Sequence, residues 1–331
     1  MFFVHSNKRG DQLLKEKIRS LPKTPGIYKM KNTQGKIIYV GKAKNLKQRV
    51  SSYFIKNSQH SRKVQEMVRW IDDVEVELTD TEFDALLLEC HLIHQIRPRY
   101  NRVMNHYESY GYFQFTDQAP YLKVLNEWSD KGLVIGPFFK ESKIQELKQI
   151  INSVYRLDGP LKYVAGIVKD YREISPEAEF DLRIQEIKET LLGQSTALLT
   201  RIDERVQAAS ARHDYESSHQ WWNNYLTVQR FLRRNKQLIQ IMQNKTFVGI
   251  LPEDGYYYCY LYAKGELLTR VVYRREPTFE QAKKRMEKAV SANTWQRLEA
   301  KDRLDKSDVD LFPLFFNYLN KHGQVQAFEG D

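Results

Sequence analysis

Two charged side chains, Arg49 and Glu89, occupy helical positions that face inward, where a charge is costly unless it is paired or holds a metal ion. They follow two phenols, Tyr28 and Tyr39, and an ammonium group, Lys42, in the same part of the chain. The residue types alone leave two interpretations open. Glu89 could hold a metal ion, or it could form a salt bridge with Arg49 that only fixes helix packing, with the tyrosines packed in strands.

A predicted β-hairpin positions the two phenols. The apolar runs Gly26–Met30 and Ile37–Gly41 flank a short segment whose composition is typical of a turn. If the turn is centred near residues 33 and 34, Tyr28 and Tyr39 lie opposite each other and share one face of the hairpin.

Two predicted helices carry the charged residues. The first, residues 43–54, places Arg49 at the spacing of its apolar stripe, so we expect the guanidinium to point inward. The second, residues 81–97, ends before Pro98 and places Glu89 at the edge of its inward face. The region also contains predicted helices at 11–21 and 61–71 and a predicted strand at 74–78.

The positive charge of the chain is concentrated in its first part. Residues 1–70 contain 17 Lys and Arg against 3 Asp and Glu, a surplus of 14. Because the whole chain has a formal charge of +10, the other 261 residues sum to −4. A local surplus of this kind favours a polyanionic partner such as nucleic acid, although basic surfaces that bind nothing are also common.

The cysteines and the hydropathy exclude several classes of protein. Cys90 and Cys259 lie in unrelated contexts, which excludes a cysteine-based zinc or iron–sulfur site and a disulfide framework within one chain. His60, His91 and His94 lack metal-ligand spacing and are predicted to lie at the surface. No apolar run is long enough to span a membrane, and the first residues do not resemble a signal peptide, so we expect a cytoplasmic protein.

Three blocks of sequence carry a specific resemblance. Gly26-Ile27-Tyr28 and Tyr39-Val40-Gly41 look like the GIY-YIG signature, and the match continues from Gly41 to Phe54 and again from Ala85 to Asn101. In this order and spacing the blocks resemble the opening domain of the UvrC family of repair endonucleases. The resemblance implies an α+β fold in which a small three-stranded mixed sheet is flanked by helices.

The same resemblance implies roles for the charged and phenolic residues. Tyr39 would act as the general base for the attacking water, or pass its proton on, and Lys42 would help to lower its pKa. Glu89 would hold one Mg²⁺ or Mn²⁺, and Arg49 would bind the phosphate.

Other residues would support this site or bind DNA. Tyr28 and Tyr53 would position groups around the site, and Asn101 would fix the local geometry. Phosphate contacts outside the catalytic set are expected at basic positions on or just after the helix that carries Arg49. These positions are Lys44, Lys47, Lys56, Arg62 and Lys63.

The chain divides into four predicted regions. Residues 1–105 form the nuclease domain and residues 106–176 a connecting α/β segment. Residues 177–243 are helical and contain a hairpin, about 196–232, that resembles the UVR hairpin through which UvrC docks on UvrB. Residues 244–331 form a β-rich domain that resembles an incomplete RNase H-like half of UvrC.

Several features depart from the family pattern. The usual cluster of four cysteines is missing, so we expect no iron–sulfur cluster. Trp221-Trp222 replaces the usual Arg-Asp pair of the second hairpin helix, and these aromatics could belong to the core or to a different binding face. The acidic residues Asp305, Asp308 and Asp310 are interpreted as a solvated helix start. One expected nuclease centre makes the layout resemble Cho, a shorter relative of UvrC.

These features predict a metal-dependent endonuclease that makes a single-strand incision in damaged DNA during nucleotide excision repair, on the 3′ side of the lesion if it follows the family. DNA is the expected partner, together with a UvrB-like damage-loading protein. The alternatives are a non-catalytic DNA-binding or adaptor protein built on a GIY-YIG domain, and a mobile-element nuclease.

Overall fold

The structure of the chain is a computed structural model. It describes residues 8–55, 60–101, 109–116, 120–138, 141–157, 176–242, 246–301 and 303–328. These residues form an α+β protein with three separate sheets, of which the first belongs to the amino-terminal domain. None of the described helices has the length and apolar character required to cross a membrane.

The amino-terminal domain contains a three-stranded sheet and four helices. Its elements are α1 (Lys8–Ser20), β1 (Gly26–Lys31), β2 (Ile37–Ala43), α2 (Leu46–Ser52), α3 (Arg62–Arg69), β3 (Asp73–Leu78) and α4 (Glu82–Ile96). The strand order is β2-β1-β3, and both strand pairs are antiparallel. The expectation of a mixed sheet was therefore wrong, because the connection through α2 and α3 returns the chain antiparallel to β1.

Helix α4 begins and ends at clear local signals. Thr81 caps its first turn in a reciprocal arrangement with Asp84, each side chain accepting the backbone N–H of the other residue. At the other end Arg97 adopts a left-handed conformation with φ of 50°, directly before Pro98. These two signals fix which residues of α4 face the sheet.

The middle of the chain combines a second antiparallel sheet with helices. Its elements are β4 (Gly111–Phe115), β5 (Leu122–Leu125), β6 (Leu133–Phe138), α5 (Glu141–Tyr155), α6 (Pro176–Leu191), α7 (Ala197–Ala211) and α8 (Tyr215–Met242). Gly193 lies between α6 and α7 with φ of +69°, a conformation that favours glycine, and it separates the two helices. Residues 158–175, at the end of the predicted connecting segment 106–176, lie outside the described residues.

Helices α7 and α8 form the predicted helical hairpin, and its two tryptophans differ. Trp221 is half-buried against the core of the middle region, with the Arg205 guanidinium 4.8 Å from its ring centroid. Trp222 is exposed and stacks on Tyr225 with ring centroids 5.2 Å apart. One tryptophan therefore belongs to the core and the other to a surface.

The C-terminal domain is built on a four-stranded antiparallel sheet of order β10-β7-β8-β9. Its elements are β7 (Thr246–Glu253), β8 (Tyr256–Ala263), β9 (Glu266–Tyr273), α9 (Phe279–Ala289), α10 (Ala292–Glu299), α11 (Leu311–His322) and β10 (Gln324–Phe328). Sequence reasoning missed α10 and β10, which are short. The RNase H-like origin of this domain stays a prediction, as do the four domain boundaries.

The expectation of a solvated helix start holds for Asp305, which is exposed, but is wrong for Asp308 and Asp310. Asp308 is largely buried and pairs with Lys301 at 2.6 Å. Asp310 accepts a hydrogen bond from the Tyr110 hydroxyl at 2.6 Å and lies 3.1 Å from His94 Nε2. These contacts tie the C-terminal domain to the amino-terminal half of the chain, and they leave His94 half-buried rather than at the surface.

Candidate active site

The phenols of Tyr28 and Tyr39 share one face of the β1–β2 hairpin, with ring centroids 6.0 Å apart. They are not directly opposite each other, because Tyr39 pairs with Met30 and Tyr28 pairs with Gly41. Lys31 pairs with Ile37, which centres the turn at residue 34 and moves the partner of each tyrosine by one position, and the bulge between Met30 and Lys31 moves it by a second. A shift of two positions preserves the face, so the prediction of a shared face is confirmed and the prediction of direct opposition is wrong.

Gly41 leaves the space that Tyr28 occupies. A Cβ atom at Gly41 would lie 2.4 Å from the Tyr28 hydroxyl oxygen, which is far inside van der Waals contact. The Tyr28 side chain is fully buried, and its hydroxyl lies 2.8 Å from the Tyr53 hydroxyl in a hydrogen bond. Tyr28 is therefore held in one position by its neighbours.

Arg49 lies at the rim of the site, with its guanidinium carbon 5.4 Å from the Tyr53 ring centroid. The residue is exposed to solvent, but its guanidinium lies over Tyr53 and interacts with the buried Tyr28, so it points toward the tyrosines without being buried. Its neighbour Val50 takes the buried position on α2, and Arg49 falls about 100° away around the helix. The guanidinium lines a solvent-filled cavity and is accessible to a ligand.

Lys42 is held by a carboxylate that sequence reasoning missed. Its ammonium group forms an ion pair and a hydrogen bond with Glu82, the first residue of α4. Glu82 precedes Glu89 by seven residues, which is two helical turns and therefore the same helix face. That spacing was visible in the sequence and could have indicated a second carboxylate at the site.

Glu89 is half-buried and has one oxygen in a hydrogen bond. Its Oε1 accepts the backbone N–H of Lys42 at 3.1 Å, and within the described part of the chain its second oxygen has no hydrogen-bond partner. Burial raises the pKa of Glu89, whereas the Lys42 N–H and the charges of Lys42 and Arg49 oppose this rise. In the described ranges no salt bridge joins Arg49 to Glu89, so the structural alternative of an ion pair between two helices is not observed.

Asn101 fixes the position of β2, the strand that carries Tyr39, by hydrogen bonds to its backbone. Its side-chain oxygen accepts the Val40 N–H at 3.0 Å and its amide nitrogen donates to the Val40 carbonyl at 2.8 Å. The buried Asn101 amide thus makes the two backbone hydrogen bonds that a neighbouring strand would make with Val40, the residue after Tyr39. This placement agrees with the predicted role of Asn101 in local geometry.

These side chains surround one open cavity of about 870 Å³. It is lined by Lys23, Tyr28, Tyr39, Lys42, Ala43, Lys44, Asn45, Gln48, Arg49, Ser52, Glu82 and Glu89. Of the predicted phosphate contacts only Lys44 lines the cavity, while Lys23 and Gln48 had not been predicted. Lys47 and Arg62 lie outside the lining, the Lys63 ammonium lies 6.0 Å from the Tyr100 ring centroid, and Lys56 lies outside the described residues.

The surroundings of Tyr39 disfavour its phenolate. Burial, the neighbouring Tyr53 and the Glu89 carboxylate raise the pKa of Tyr39, and Arg49 lowers it. Arg49 is therefore the cation that lowers the pKa of Tyr39, whereas the ammonium group of Lys42 forms an ion pair with Glu82. The pKa of Tyr28 is also raised, first by burial and then by Tyr39 and Tyr53.

His60 lies beside the site, although it had been predicted to lie at the surface. Its ring stacks on Tyr53 with centroids 5.8 Å apart, and its Nε2 lies 3.1 Å from the Ser52 carbonyl oxygen. His91, by contrast, is exposed as expected. No cluster of three or more His, Cys, Asp or Glu that could hold a metal ion occurs within the described residues.

Residues 24–102 match the family model of the UvrC-like GIY-YIG domain. The chain is similar to UvrABC system protein C of Alkaliphilus oremlandii, 29% identical over 278 residues that cover 78% of this chain and 45% of that protein. It is also similar to UvrABC system protein C of Chlorobium chlorochromatii, 32% identical over 266 residues that cover 73% of this chain and 42% of that protein.

A solved structure is similar to the amino-terminal part. The magnesium-bound GIY-YIG N-terminal endonuclease domain of UvrC from Thermotoga maritima is 38% identical, with 28% of this chain and 98% of that chain covered and a TM-score of 0.25. The chain spans less than half the length of the two curated relatives. The match to the family model is confined to the region that builds the cavity, and residues 24–102 are a GIY-YIG domain of the UvrC type.

Proposed function

We propose that this chain is a divalent-metal-dependent endonuclease that makes a single-strand incision in damaged DNA during nucleotide excision repair. The observation that carries the proposal is the grouping of Tyr39, Arg49 and Glu89 around one open cavity. In metal-assisted phosphodiester hydrolysis, a phenol can act as the general base, a guanidinium can bind the phosphate and a carboxylate can hold the metal ion. The curated relatives are named as the C component of the UvrABC system, which favours excision repair as the setting.

Glu89 fits a single Mg²⁺ or Mn²⁺. Its second oxygen faces the cavity without a hydrogen-bond partner among the described residues, while its first oxygen is oriented by the Lys42 N–H. Mg²⁺ is commonly bound by one or two carboxylates, with water and substrate phosphate completing its coordination. When bound, the cation would polarise the scissile phosphate, stabilise the leaving oxygen and offset the carboxylate charge that raises the pKa of Tyr39.

Tyr39 is the best candidate for the general base. Both Tyr28 and Tyr39 line the cavity, but Tyr39 is only half-buried, whereas Tyr28 is fully buried. The exposed guanidinium of Arg49 can bind the phosphate and neutralise the charge that develops on it. Tyr28 and Tyr53 would then hold the aromatic wall in place.

Lys42 acts in this proposal through its backbone and through Glu82. Its N–H orients Glu89, and its ammonium group holds Glu82 at the same edge of the cavity. This differs from the sequence-based expectation that Lys42 lowers the pKa of Tyr39.

DNA would approach along the basic side of the amino-terminal domain. Lys23 and Lys44 line the cavity, and Lys47 lies on the same helix as Arg49. Lysines at these places can contact phosphates without reading the base sequence. We further propose that the incision lies on the 3′ side of the lesion and that the α7–α8 hairpin docks on a UvrB-like loader, as the resemblance implies.

The GIY-YIG cavity would be the nuclease centre of the described chain. Among the residues that the structure describes, no group of three or more His, Cys, Asp or Glu could hold a metal ion, so the proposed centre depends on Glu89. A single centre would give the layout of Cho, the shorter relative.

A nicking assay tests the proposal. A duplex with one lesion, labelled at both ends of the damaged strand, is incubated with the full chain and Mg²⁺, with and without a UvrB-like loader. We expect one metal-dependent nick on the 3′ side of the lesion, and no nick with EDTA or on the undamaged duplex. Tight DNA binding without any nick under all conditions would support an adaptor protein instead.

A further inference from the structure

Helix α4 is buried against the C-terminal domain on the side that faces away from the cavity. Phe83, Leu86 and Leu87 of α4 belong to one aromatic cluster with residues of β7, β8 and α11. The Phe83 ring meets the Tyr260 ring edge-on at 4.9 Å and stacks on the Tyr318 ring at 4.7 Å. The helix that carries Glu89 is therefore shared between the two domains.

Polar contacts fix the first turn of α4 to the C-terminal sheet. Arg270 of β9 pairs with Asp84 at 2.5 Å through Nη1 and with Asp80 at 2.6 Å through Nη2. The Tyr260 hydroxyl donates to Asp84 at 3.2 Å and lies 3.3 Å from the Thr81 hydroxyl. Asp84 also forms the capping box of α4 together with Thr81, so the contacts from the C-terminal domain stabilise the first turn of the helix.

The last turns of α4 are fixed by a second contact. His94 Nε2 lies 3.1 Å from Asp310, whose other oxygen accepts the Tyr110 hydroxyl. The helix is thus held near both ends, and its cavity side lies between these two points. Asp84 precedes Glu89 by five residues, about 7.5 Å along the helix axis.

Metal affinity depends strongly on how firmly a ligand is held. A carboxylate must keep its position to within a few tenths of an ångström to bind a cation well, and residues behind the ligand supply that restraint. Glu89 receives one hydrogen bond from its own domain, from the Lys42 N–H. The remaining restraint on Glu89 comes from the placement of α4 itself.

We infer that the C-terminal domain positions helix α4 for metal binding, with Arg270 as the positioning residue for Glu89. The inference rests on the proposed function, since it concerns the same metal site. It assigns the C-terminal domain a direct part in the chemistry of the amino-terminal domain.

Metal binding and cutting are measured separately in four variants of the full chain. Arg270→Ala removes both ion pairs, Arg270→Lys keeps the charge without the two-pronged geometry, and Tyr260→Phe removes one hydroxyl. Arg285→Ala is the matched control, because Arg285 lies over Tyr273 of the same domain and donates to the Val272 carbonyl. Binding of Mn²⁺ without DNA is followed by electron paramagnetic resonance, and the nicking rate is followed across a Mn²⁺ series.

We expect Arg270→Ala to weaken Mn²⁺ binding about tenfold, and to raise the Mn²⁺ concentration for half-maximal nicking by about the same factor. Saturating Mn²⁺ should restore the rate to within about twofold, because Arg270 does not touch the reacting groups. Arg270→Lys and Tyr260→Phe should fall between Arg270→Ala and the wild type, and Arg285→Ala should match the wild type.

The inference is overturned if Arg270→Lys and Tyr260→Phe, which retain the fold, bind Mn²⁺ as tightly as the wild type. The result with these two variants decides the question even if Arg270→Ala fails to fold. Failure of the proposed function gives a different result, namely wild-type chain that binds Mn²⁺ but never nicks DNA. An equal loss of Mn²⁺ affinity in Arg285→Ala would also contradict the inference, because it would show a general loss of stability.

Discussion

Two carboxylates of helix α4, Asp84 and Glu89, lie on different sides of the helix and differ in their surroundings. Asp84 faces the C-terminal domain and receives the Thr81 cap, the Tyr260 hydroxyl and the Arg270 guanidinium. Glu89 faces the cavity and receives one backbone N–H, from Lys42. A carboxylate whose oxygens are all engaged stabilises structure, whereas one with an oxygen facing an open cavity is available to a ligand.

The two sides also differ in how they should respond to substitution. Changes on the cavity side remove groups that would touch the substrate or the metal ion, so saturating metal should not restore activity. Changes on the side of the C-terminal domain alter the placement of α4, so their effects should be graded and reversible by metal.

The largest effect is expected at Glu89. Glu89→Gln removes the negative charge that would hold the cation but keeps the shape of the side chain, so nicking should be abolished while DNA binding survives. The measurement is a nicking assay with a parallel gel-shift titration of the same duplex. Nicking at near the wild-type rate in Mg²⁺ would show that Glu89 is not the metal ligand.

The next largest effect separates the two tyrosines of the hairpin. Tyr39→Phe should lower the nicking rate at least about a hundredfold, since a general base contributes on that scale. Tyr28→Phe should cost less, because the Tyr28 side chain is fully buried at the inner wall of the cavity, whereas that of Tyr39 is only half-buried. Single-turnover nicking rates decide the order, and the reverse order would assign the base to Tyr28.

A smaller, graded effect is expected from pH. The pKa of Tyr39 is raised by burial, Tyr53 and Glu89, so its basic form is scarce at neutral pH. While the pH stays below that pKa, each unit should raise the nicking rate about tenfold, and Tyr39→Phe should remove this slope. At acid pH a second loss is expected, because the pKa of Glu89 is also raised and its protonated form cannot hold the cation. A rate profile across about pH 5 to about pH 9 that is flat in the wild type would contradict the assignment of the base.

The smallest effect concerns the basic surface. Lys44 is exposed at the cavity and Lys47 is half-buried on α2, and the double variant Lys44→Ala, Lys47→Ala should weaken binding to all DNA sequences about equally. The slope of log affinity against log salt should fall by about one unit for each lysine–phosphate pair that the substitutions remove. Lys284→Ala, exposed on α9, serves as the control. An unchanged affinity and slope would show that these lysines only solubilise the domain.

Local signals in the sequence were sufficient for most of the amino-terminal domain. Apolar alternation, turn composition and Pro98 located its strands and α4, and helix periodicity brought Glu89 to the right face. The register of the hairpin could not be predicted, because one extra residue in β2 shifts the pairing. The orientation of β3 was missed for a similar reason, since the path of a two-helix connection is not encoded locally.

The contacts of the site were harder to predict than its members. Glu82 was overlooked although it shares a helix face with Glu89, because its partner Lys42 lies 40 residues earlier in the chain. The exposure of Arg49 was also missed, since a spacing of three or four residues does not separate a buried position from its exposed neighbour. The burial of α4 against the C-terminal domain depends on residues such as Arg270, 186 positions from Asp84, and no local pattern indicates it.

Direct measurement of metal binding tests the central claim, that Glu89 holds the catalytic cation. Mn²⁺ is titrated into wild-type chain, Glu89→Gln and Glu299→Gln without DNA, and free Mn²⁺ is read by electron paramagnetic resonance. Glu299 lies exposed at the end of α10 and serves as the matched carboxylate control. We predict one Mn²⁺ bound by the wild type and by Glu299→Gln, and none by Glu89→Gln at the same concentrations. Equal Mn²⁺ binding by all three proteins would contradict the account.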